Sequence, residues 1–583
     1  MKIPSKLLAQ QLLLSCKKWG LHNVVISPGS RNAPLTIGFT NDPFFTCYSI
    51  VDERAAAFFG LGLAQQSGKP TILVCTSGSA VVNYLPAVTE AYFSEIPLVV
   101  LSADRPLHKV GIGDGQTIYQ AGVFGQHCLF SGVLRGVESN ADLEAIPVNQ
   151  QRIAQAFTVA SQQHGPVHLN VPFEEPLYLT EGTYAPELSD LEQTVTTQHE
   201  VELERLDEEV MELTFRESEN YQTLERAWNS SERKMILVGV LDPGVLDQEL
   251  LNRFAARKDI VVLSESTSNL HANHFITAID QAIAPLEKTP EKLECLLPDL
   301  LITVGGQVIS KKIKKLLRGI NGLRHFHIGN TRPLDTYFKL VCHVPAPATE
   351  VLALLVVNRP EFQSDLQAQW LSIKLQRIHG HREYLDVIPW SDFTAYQTLL
   401  PSIPDGSLLH FGNSSSIRYA QLYEQNPSIH VYCNRGTSGI DGCTSTSIGA
   451  AVASGQRTVL ITGDIAFFYD SNALWNQYVP ADYRMILINN GGGGIFRILP
   501  GDKHTDEFQD YFETTHGLEA SRLATMYGFG YDRASSDREL KVALSRFYEP
   551  STKPRILEIF TPRMVNDEVL LEYFHFLARN AQG

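Results

Sequence analysis

A carboxylate and an amide each follow an apolar stretch in the last third of the sequence. Asp464 ends the stretch RTVLITGD, and Asn490 ends the stretch YRMILINN. The two residues are 26 positions apart, which suits one helix and one strand, so both side chains are expected at the same edge of a parallel sheet. A carboxylate, an amide oxygen and a backbone carbonyl form a set of hard oxygen ligands that suits Mg²⁺ or Mn²⁺.

The glycines at 491–494 allow the backbone to approach a phosphate group closely. We therefore predict a metal site made by Asp464, Asn490 and the carbonyl of Gly492, with phosphate oxygens or water as the other ligands. Taken singly, an aspartate after a strand is more often a helix N-cap, and Asn-Asn before glycine is more often a turn. It is the joint arrangement that favours the metal site.

This arrangement resembles the diphosphate–Mg²⁺ signature of thiamine-diphosphate enzymes, which runs from Gly-Asp to Asn-Asn. Gly463, Asp464 and Asn490 occupy signature positions, while Ile465 stands where a second glycine is common. The resemblance implies that these residues bind thiamine diphosphate. It also implies a glutamate in a separate domain, whose carboxyl hydrogen-bonds the aminopyrimidine ring and promotes removal of the thiazolium C2 proton.

Glu53 is the candidate for that glutamate. It stands between the stretch TCYSIVD and a helix of small residues that includes Ala55 to Ala57. On its own, a glutamate in the first turn of a helix is explained by the helix dipole. The presence of Asp464 and Asn490 makes the catalytic interpretation the better one.

Three blocks of strands and helices must position these residues. Short apolar runs such as NVVIS, TILVC and PLVVLSA alternate with helical stretches, a pattern typical of parallel sheets. We predict an α/β fold of three doubly wound parallel-sheet domains with thiamine-diphosphate-enzyme architecture. The predicted divisions are a pyrimidine-binding domain at 1–185, a helical linker at 186–233, a central Rossmann-like domain at 234–380 and a diphosphate-binding domain at 381–583.

The composition excludes several classes of protein. With 583 residues, 44% of them hydrophobic and 19% charged, the chain can form several cores and is too long for one domain. The net charge of −16 argues against a nucleic-acid partner but leaves an anionic small substrate open. Eight scattered cysteines without a C-x-x-C pair predict a reducing, cytoplasmic location. Since the chain has no apolar window of 18 residues, we predict no membrane span.

Eight longer motifs are spread through the first and third blocks. They are SPGSRNAPLT (27–36), VDERAAAFFGLGLA (51–64), TSGSAVVNYLPAVTEA (76–91), SADRP (102–106), GQTIYQAGVFG (115–125), HLNVPFEEPLY (168–178), NRGTSGIDG (434–442) and NNGGGGIF (489–496). Together they resemble the MenD family, the synthases of 2-succinyl-5-enolpyruvyl-6-hydroxy-3-cyclohexene-1-carboxylate (SEPHCHC). The resemblance implies an active site between two chains, and hence a homodimer or a homotetramer.

The same resemblance implies decarboxylation of 2-oxoglutarate and 1,4-addition of the remaining four-carbon unit to isochorismate. Both substrates are dianions, so the pocket needs fixed cations, and arginine pairs bidentately with carboxylates. Each candidate cation follows a predicted strand, where a ligand crevice is expected. For any one of these side chains, a structural ion pair is about as good an explanation. The candidates are Arg31, Arg105, Arg418, Arg435 and Lys311, the last of which also fits a solvated basic helix face.

Further polar roles are implied by the same motifs. Ser30, Gln116 and Ser414 are expected to hydrogen-bond the substrate or the covalent intermediate, and Ser414 and Asn413 to lie against the cofactor. The catalytic set implied by the resemblance is Glu53, Arg31, Gln116, Arg418 and Arg435.

Apolar roles are implied as well. Ile440 is expected beneath the cofactor, where it would hold the two rings in a bent form. Ile495, Phe496 and Leu499 are expected to form apolar walls around the reacting carbons, because a dry wall slows premature protonation of a carbanion.

Two other classes stay open at this point. Another thiamine-diphosphate enzyme, such as an acetohydroxyacid synthase or a simple 2-oxoacid decarboxylase, would share the cofactor site. The former usually binds FAD, for which the central block offers only Gly305-Gly306 and no G-x-G-x-x-G run. The latter would not need so many arginines. A non-catalytic protein on doubly wound sheets is the other class, and Glu53, Asp464 and Asn490 argue against it.

Overall fold

The computed structural model describes residues 2–138, 142–197, 215–330, 332–356, 361–499 and 501–580. These residues form three parallel sheets that pack against helices, which confirms the predicted α/β fold class. A short antiparallel pair joins β1 (Ile3–Pro4) to β8 (Thr180–Glu181). Within the described ranges, no helix combines the length and apolar character that crossing a bilayer requires.

The first sheet has six parallel strands. They are β2 (Asn23–Ile26), β3 (Thr46–Ser49), β4 (Thr71–Cys75), β5 (Leu98–Asp104), β6 (Phe130–Val133) and β7 (Val167–Pro172). Their order, β3-β2-β4-β5-β7-β6, reverses between β2 and β4, and open α/β sheets bind ligands at such a switch point. The helices of this part are α1 (Leu7–Lys18), α2 (Ala33–Asn41), α3 (Glu53–Ser67), α4 (Ser79–Asn83), α5 (Leu85–Ser94) and α6 (Ala145–Gln162).

The middle sheet has five parallel strands. They are β9 (Lys234–Val238), β10 (Ile260–Leu263), β11 (Leu300–Val304), β12 (Arg324–Ile328) and β13 (Leu340–Val344), in the order β10-β9-β11-β12-β13. The helices before and around it are α7 (Ser189–Thr197), α8 (Glu219–Ser230), α9 (Gln248–Ala255), α10 (Ile279–Ile283), α11 (Pro290–Glu294), α12 (Lys311–Arg318), α13 (Ala348–Val356) and α14 (Leu366–Leu385).

The third sheet repeats the topology of the first. Its strands are β14 (Leu408–Phe411), β15 (His430–Cys433), β16 (Thr458–Gly463), β17 (Arg484–Asn489), β18 (Gly530–Ala534) and β19 (Arg555–Phe560). The order β15-β14-β16-β17-β19-β18 places a switch point between β14 and β16. Its helices are α15 (Asp392–Leu399), α16 (Ser415–Ala420), α17 (Cys443–Ser454), α18 (Asp464–Tyr469), α19 (Ser521–Met526), α20 (Asp537–Phe547) and α21 (Asn566–Asn580).

Three strands of the parallel sheets are present that the sequence pattern did not predict. β6, β13 and β18 each lie at the end of a sheet and are only partly buried. They therefore lack the continuous apolar run that marks a central parallel strand. The four predicted domain divisions stay predictions: the linker at 186–233 contains α7 and α8, its residues 198–214 lie outside the described ranges, and α14 crosses the division at 380.

Helices α3 and α17 join the first and third parts of the chain by direct backbone contact. A Cβ atom on Gly62 would lie 2.0 Å from the carbonyl oxygen of Thr446, and one on Gly449 would lie 2.0 Å from that of Phe59. Glycine in a helix interior costs about 0.5–1 kcal/mol relative to alanine. The close approach explains why both helices nevertheless carry glycine at the crossing.

A buried carboxylate connects β10 to the loop before α12. Glu265 is 3% exposed and accepts hydrogen bonds from the backbone nitrogens of Ile309 (2.6 Å) and Ser310 (2.7 Å). Burial raises the pKa of Glu265 to about 7; the nearby charge of Asp280 adds to the shift, and that of Arg435 opposes it. The side chain thus fixes the loop that leads into α12, at the cost of a desolvated carboxylate.

Substituting Gly62 tests the helix crossing. Gly62→Ala is expected to lower the thermal midpoint, since the new methyl group overlaps backbone atoms that cannot rotate away. The expected loss is of order 1–3 kcal/mol, against the gain of about 1 kcal/mol that helix propensity alone would give. Gly182→Ala is the matched control, because its Cβ would meet no atom within 4 Å. Equal midpoints for the two variants would contradict the crossing.

Glu265 predicts a pH dependence of stability. Its folded-state pKa of about 7 lies above the ordinary glutamate value of 4.5, so the folded state binds the extra proton between these values. Stability should therefore fall as the pH rises through this window, by roughly 3 kcal/mol at most. Thermal midpoints from pH 5 to 8 are expected to fall more steeply for the wild type than for Glu265→Gln. Parallel curves would contradict the prediction.

Candidate active site

Asp464 lies at the carboxyl end of β16, where the sheet order reverses. The residue is 3% exposed, and its Oδ2 accepts hydrogen bonds from the backbone nitrogens of Gly491 (2.8 Å) and Gly492 (3.1 Å). Its Oδ1 accepts from the backbone nitrogen of Ile465 (2.7 Å). The loop after β17 is therefore anchored on the carboxylate that ends β16, as the spacing predicts.

Asn490 lies beside this loop with its amide oriented by a second carboxylate. Its Nδ2 donates to Asp392 Oδ2 (3.0 Å), whereas its Oδ1 is buried and has no hydrogen-bond partner among the described residues. Asp392 also accepts from the Thr561 hydroxyl (2.5 Å). Burial, with the charge of Asp464 as a lesser contribution, raises the pKa of Asp392 to about 6. The amide oxygen is thus left free for a ligand.

These oxygens fit a metal-bound diphosphate. The unpartnered Asn490 Oδ1 and the carboxylate of Asp464 are hard ligands at one sheet edge, and carboxylate oxygens retain a second lone pair after accepting one hydrogen bond. Gly491 and Gly492 have φ angles of 77° and 156°, which other residues rarely adopt. His516 Nε2 lies 3.5 Å from Asp464 Oδ2. Within the described ranges, no group of three His, Cys, Asp or Glu residues could hold a metal instead.

Two of the predicted arginines lie beside the same switch point. Arg435 is 7% exposed and donates to Asn413 Oδ1 (2.8 Å), whereas its Nε is buried without a partner. Arg418 donates to the carbonyl of Ser414 (2.8 Å), and burial together with the charge of Arg435 lowers its pKa. Asn413 in turn donates to the carbonyls of Asn434 and Gly439, so it ties the two loops together.

The other predicted residues of the third part surround these groups. Ser414 has an unusual φ of 69°, and Ile440 is half-buried in the loop before α17. Ile495, Phe496 and Leu499 lie on and after a short 3₁₀ turn beyond the glycine run; Phe496 and Leu499 are exposed. Lys311 is the exposed first residue of α12, while its neighbour Lys314 has its pKa lowered by burial, next to Glu265 and Arg435.

The first sheet brings together a second set of predicted residues. Arg31 is 4% exposed and donates to the carbonyl of Phe173 (2.9 Å) and to Glu175 Oε1 (2.6 Å). Arg105 lies 3.8 Å from the same carboxylate and donates to the carbonyl of Gly115 (2.9 Å). Glu175, whose pKa is lowered chiefly by its hydrogen bond from Arg31, thus bridges the two arginines.

Glu53, Ser30 and Gln116 lie at the same edge of this sheet. Glu53 begins α3, is partly exposed and accepts a 3.4 Å hydrogen bond from Asn83 Nδ2. Ser30 is exposed in the loop after β2. Gln116 is exposed, has a φ of 58° and donates to the carbonyl of Ser77 (3.1 Å). The polar groups of all three are accessible to a ligand.

The structure therefore holds two clusters rather than one pocket. The pyrimidine-side cluster comprises Ser30, Arg31, Glu53, Arg105 and Gln116, and the diphosphate-side cluster comprises Asn413, Ser414, Arg418, Arg435, Ile440, Gly463, Asp464, Ile465, Asn490, Gly492, Ile495, Phe496 and Leu499. Among the described residues, Glu53 makes no hydrogen bond or ion pair to the second cluster. The two parts adjoin where Arg54 donates to the carbonyl of Tyr469 (2.7 Å).

The sequence pattern missed residues that position the clusters. Glu90 is 1% exposed and accepts 2.7 Å hydrogen bonds from the backbone nitrogens of Gly436 and Thr437, which hold the Arg435 loop. Asp392 orients Asn490, and Glu175 bridges Arg31 and Arg105. The sequence offered one signal for each of two residues. Glu90 is an acid within an apolar helix, and Asp392 follows a serine at the capped start of a helix.

Comparisons with known proteins agree with this geometry. A family model described as "Thiamine pyrophosphate enzyme, N-terminal TPP binding domain" matches residues 7–127. A second, "Thiamine pyrophosphate enzyme, C-terminal TPP binding domain", matches residues 412–559. The two matches contain every residue of the pyrimidine-side cluster and of the diphosphate-side cluster. Thiamine diphosphate with a divalent metal is therefore the cofactor of this chain.

The relatives that match nearly the whole chain share one protein name. The chain is 46% identical to a 2-succinyl-5-enolpyruvyl-6-hydroxy-3-cyclohexene-1-carboxylate synthase of Christiangramia forsetii, with 99% of each chain covered. It is 48% identical to a protein of the same name from Flavobacterium psychrophilum, with 98% of each covered. It is 36% identical to one from Porphyromonas gingivalis, with 96% of this chain and 95% of the relative covered. The chain belongs to the 2-succinyl-5-enolpyruvyl-6-hydroxy-3-cyclohexene-1-carboxylate synthase family of thiamine-diphosphate enzymes.

Proposed function

We propose that the protein is a SEPHCHC synthase of menaquinone or phylloquinone biosynthesis. It decarboxylates 2-oxoglutarate and joins the remaining four-carbon unit to isochorismate by 1,4-addition, with release of CO₂. The observation that carries the proposal is the placement of four arginines in two clusters, one of which also holds the free Asn490 Oδ1 and the Asp464 carboxylate at one sheet edge. Such a concentration of fixed cations in a chain of net charge −16 suits two dianionic substrates.

Thiamine diphosphate, when bound, supplies the electron sink that loss of CO₂ from a 2-oxoacid requires. Asp464, Asn490 and the carbonyl of Gly492 would hold the metal. Glu53 would hold a proton at the aminopyrimidine ring. Ile440 would pack against the cofactor. Asn413 and Ser414 support the loops on either side, as their hydrogen bonds and backbone geometry indicate.

The cationic side chains bind and orient the substrate carboxylates. Arg418 and Arg435 follow β14 and β15, at the same end of the sheet as Asp464, which suits the donor acid. Lys311, the exposed first residue of α12, would add a further cation. Arg31 and Arg105 now share Glu175, and a substrate carboxylate would replace that acid on the same guanidinium groups. Ser30 and Gln116 add hydrogen-bond donors. Ile495, Phe496 and Leu499 exclude water from the reacting carbons once they are covered.

We further propose that the active site forms between two copies of the chain. The two clusters make no side-chain hydrogen bond to each other within one chain. Large apolar side chains are also exposed around both: Leu107, Ile112 and Tyr119 are 87%, 72% and 79% exposed near Arg105 and Gln116. Tyr511 and Met526 are 81% and 72% exposed in the third part. A second copy would cover these surfaces and close the site.

A cytoplasmic location is the remaining part of the proposal. All eight cysteines are free thiols, and Cys16 and Cys75 are among those buried in cores. Burial raises the pKa of both thiols, which keeps them protonated. Free thiols throughout a long chain support a reducing compartment.

The reaction is tested by ultraviolet detection of isochorismate loss in the presence of thiamine diphosphate, Mg²⁺ and 2-oxoglutarate. We expect loss only with all components present. Glu53→Gln is expected to reduce turnover at least 100-fold, on the scale of a lost acid–base group, while cofactor binding by calorimetry persists. Glu181→Gln, an exposed acid of β8, is the matched control. Release of CO₂ from 2-oxoglutarate without isochorismate loss would refute the acceptor, and a fully active Glu53→Gln would refute the site.

The shared site is tested by complementation between two inactive variants. Co-expressed Glu53→Gln and Asp464→Asn chains should recover about 25% of wild-type activity, because random pairing gives half heterodimers, each with one intact site. Co-expression of Glu53→Gln with Glu53→Ala is the control and should recover none. If each chain carries its own complete site, the first pair stays inactive as well.

A further inference from the structure

The three parts of the chain meet at the peptide of Gly436, which follows Arg435. The backbone nitrogen of Gly436 donates to Glu90 Oε1 of the first part (2.7 Å), and its carbonyl accepts from Gln307 Nε2 of the middle part (2.7 Å). Gln307 lies in the segment between β11 and α12. The segment that leads into α12 is therefore in direct contact with the loop that carries Arg435.

The first turn of α12 is fixed in this position. Glu265 accepts two hydrogen bonds from the backbone of the same segment. The Ser310 hydroxyl accepts from the backbone nitrogen of Ile313 (3.1 Å) and donates to Asp280. Burial lowers the pKa of Arg418, and the charge of Asp280 opposes this shift, so these two groups are close. The start of α12 thus lies on the side of the middle part that faces the diphosphate-side cluster.

Three of the five basic side chains of α12 have partners within the middle part. Lys312 and Lys315 both pair with Glu287. Arg318 donates to the carbonyl of Thr336 (2.9 Å). Ion pairs and hydrogen bonds near the surface of one part explain these three cations without any ligand.

Lys311 and Lys314 differ from those three in having no such partner, and they differ from each other in burial. Lys311 is exposed, so water can solvate its ammonium group. Lys314 lies one turn further along, next to the buried Ile313, and is half-buried. It makes no hydrogen bond or ion pair with a residue that the structure describes. A partly desolvated ammonium without a partner is unfavourable, so an anion at Lys314 would be stabilising.

The charges around Lys314 agree with this placement. Burial lowers the pKa of Lys314; the charge of Glu265 opposes the shift and that of Arg435 adds to it. Glu265 does not pair with Lys314, because its carboxylate accepts from the backbone before α12. Its pKa of about 7 also leaves it only partly ionised at neutral pH. This acid therefore compensates Lys314 only in part.

We propose that Lys314 is a substrate-binding residue, whose ammonium pairs with the distal carboxylate of 2-oxoglutarate beside Arg418 and Arg435. The inference rests on the function proposed above. The carboxylate next to the keto carbon leaves as CO₂, so strong pairing there would stabilise the ground state and oppose its loss. The distal carboxylate is kept through the reaction and can be held throughout. The middle part would thus contribute a specificity-determining cation to the site.

Substrate discrimination by the holoenzyme tests this role. CO₂ release from 2-oxoglutarate is compared with release from 2-oxopentanoate, in which a methyl group replaces the distal carboxylate. Lys314→Met is expected to lower kcat/KM for 2-oxoglutarate at least tenfold, mainly through KM, and to change that for 2-oxopentanoate less than twofold. Lys314→Arg, which restores the charge, should recover most of the loss. Equal losses for the two acids, or no loss for either, would overturn the proposal.

Lys315→Met is the matched control, because Lys315 lies on the same helix, is exposed and pairs with Glu287. It is expected to behave as the wild type with both acids. A loss with 2-oxoglutarate as large as that of Lys314→Met would show a general effect of charge on α12 and would contradict a specific contact.

Calorimetry with glutarate tests Lys314 without turnover, since glutarate has both carboxylates but no keto group. We expect saturable binding to the holoenzyme, at least tenfold weaker in Lys314→Met and unchanged in Lys315→Met. If the wild type releases no CO₂ from 2-oxoglutarate, the proposed reaction fails, whereas glutarate binding that depends on Lys314 would still support the contact. Equal glutarate binding by the wild type and Lys314→Met would refute the contact even in an active enzyme.

Discussion

The contact between α3 and α17 is the constraint on which the two halves of the site depend. Gly62 and Gly449 bring two backbones so close that neither position accepts a side chain. Glu53 is the first residue of α3, and the loop containing Ile440 leads directly into α17, where Gly442 lies against the ring of Phe58. One steric contact therefore fixes the start of α3 relative to the start of α17.

Buried carboxylates then set the loops that this crossing leaves free. Glu90 holds the backbone of the Arg435 loop, Glu265 holds the entrance to α12, and Asp392 holds the amide of Asn490. Each acid accepts hydrogen bonds from groups far away in the sequence, so each joins separately folded segments. The raised pKa values of Asp392 and Glu265 show the desolvation that this positioning costs. The first and third sheets have the same topology. They nevertheless differ in their chemistry, because a few buried acids behind the switch points hold different loops.

The sequence was sufficient to predict residues at the ends of central strands. Asp464 and Asn490 follow strands with continuous apolar runs, and the regular geometry of parallel sheets brings such ends together. It was insufficient for Asp392 and Glu90, because their partners lie 98 and 346 residues away and no local pattern encodes those hydrogen bonds. Edge strands such as β13 and β18 were missed because one side of each faces solvent, so they lack the continuous apolar run that marks a central strand. The proposed pairing of the two clusters across two copies of the chain is likewise specified by no local pattern.

Some buried polar atoms without partners lie where a ligand is proposed. Asn490 Oδ1 and Arg435 Nε are both buried and unpaired, and both belong to the diphosphate-side cluster. Arg484 is buried more deeply, yet carbonyl oxygens and Asp482 satisfy it. Because an unpaired buried polar atom is costly, the free Oδ1 of Asn490 supports the proposal that this oxygen is a ligand of the metal.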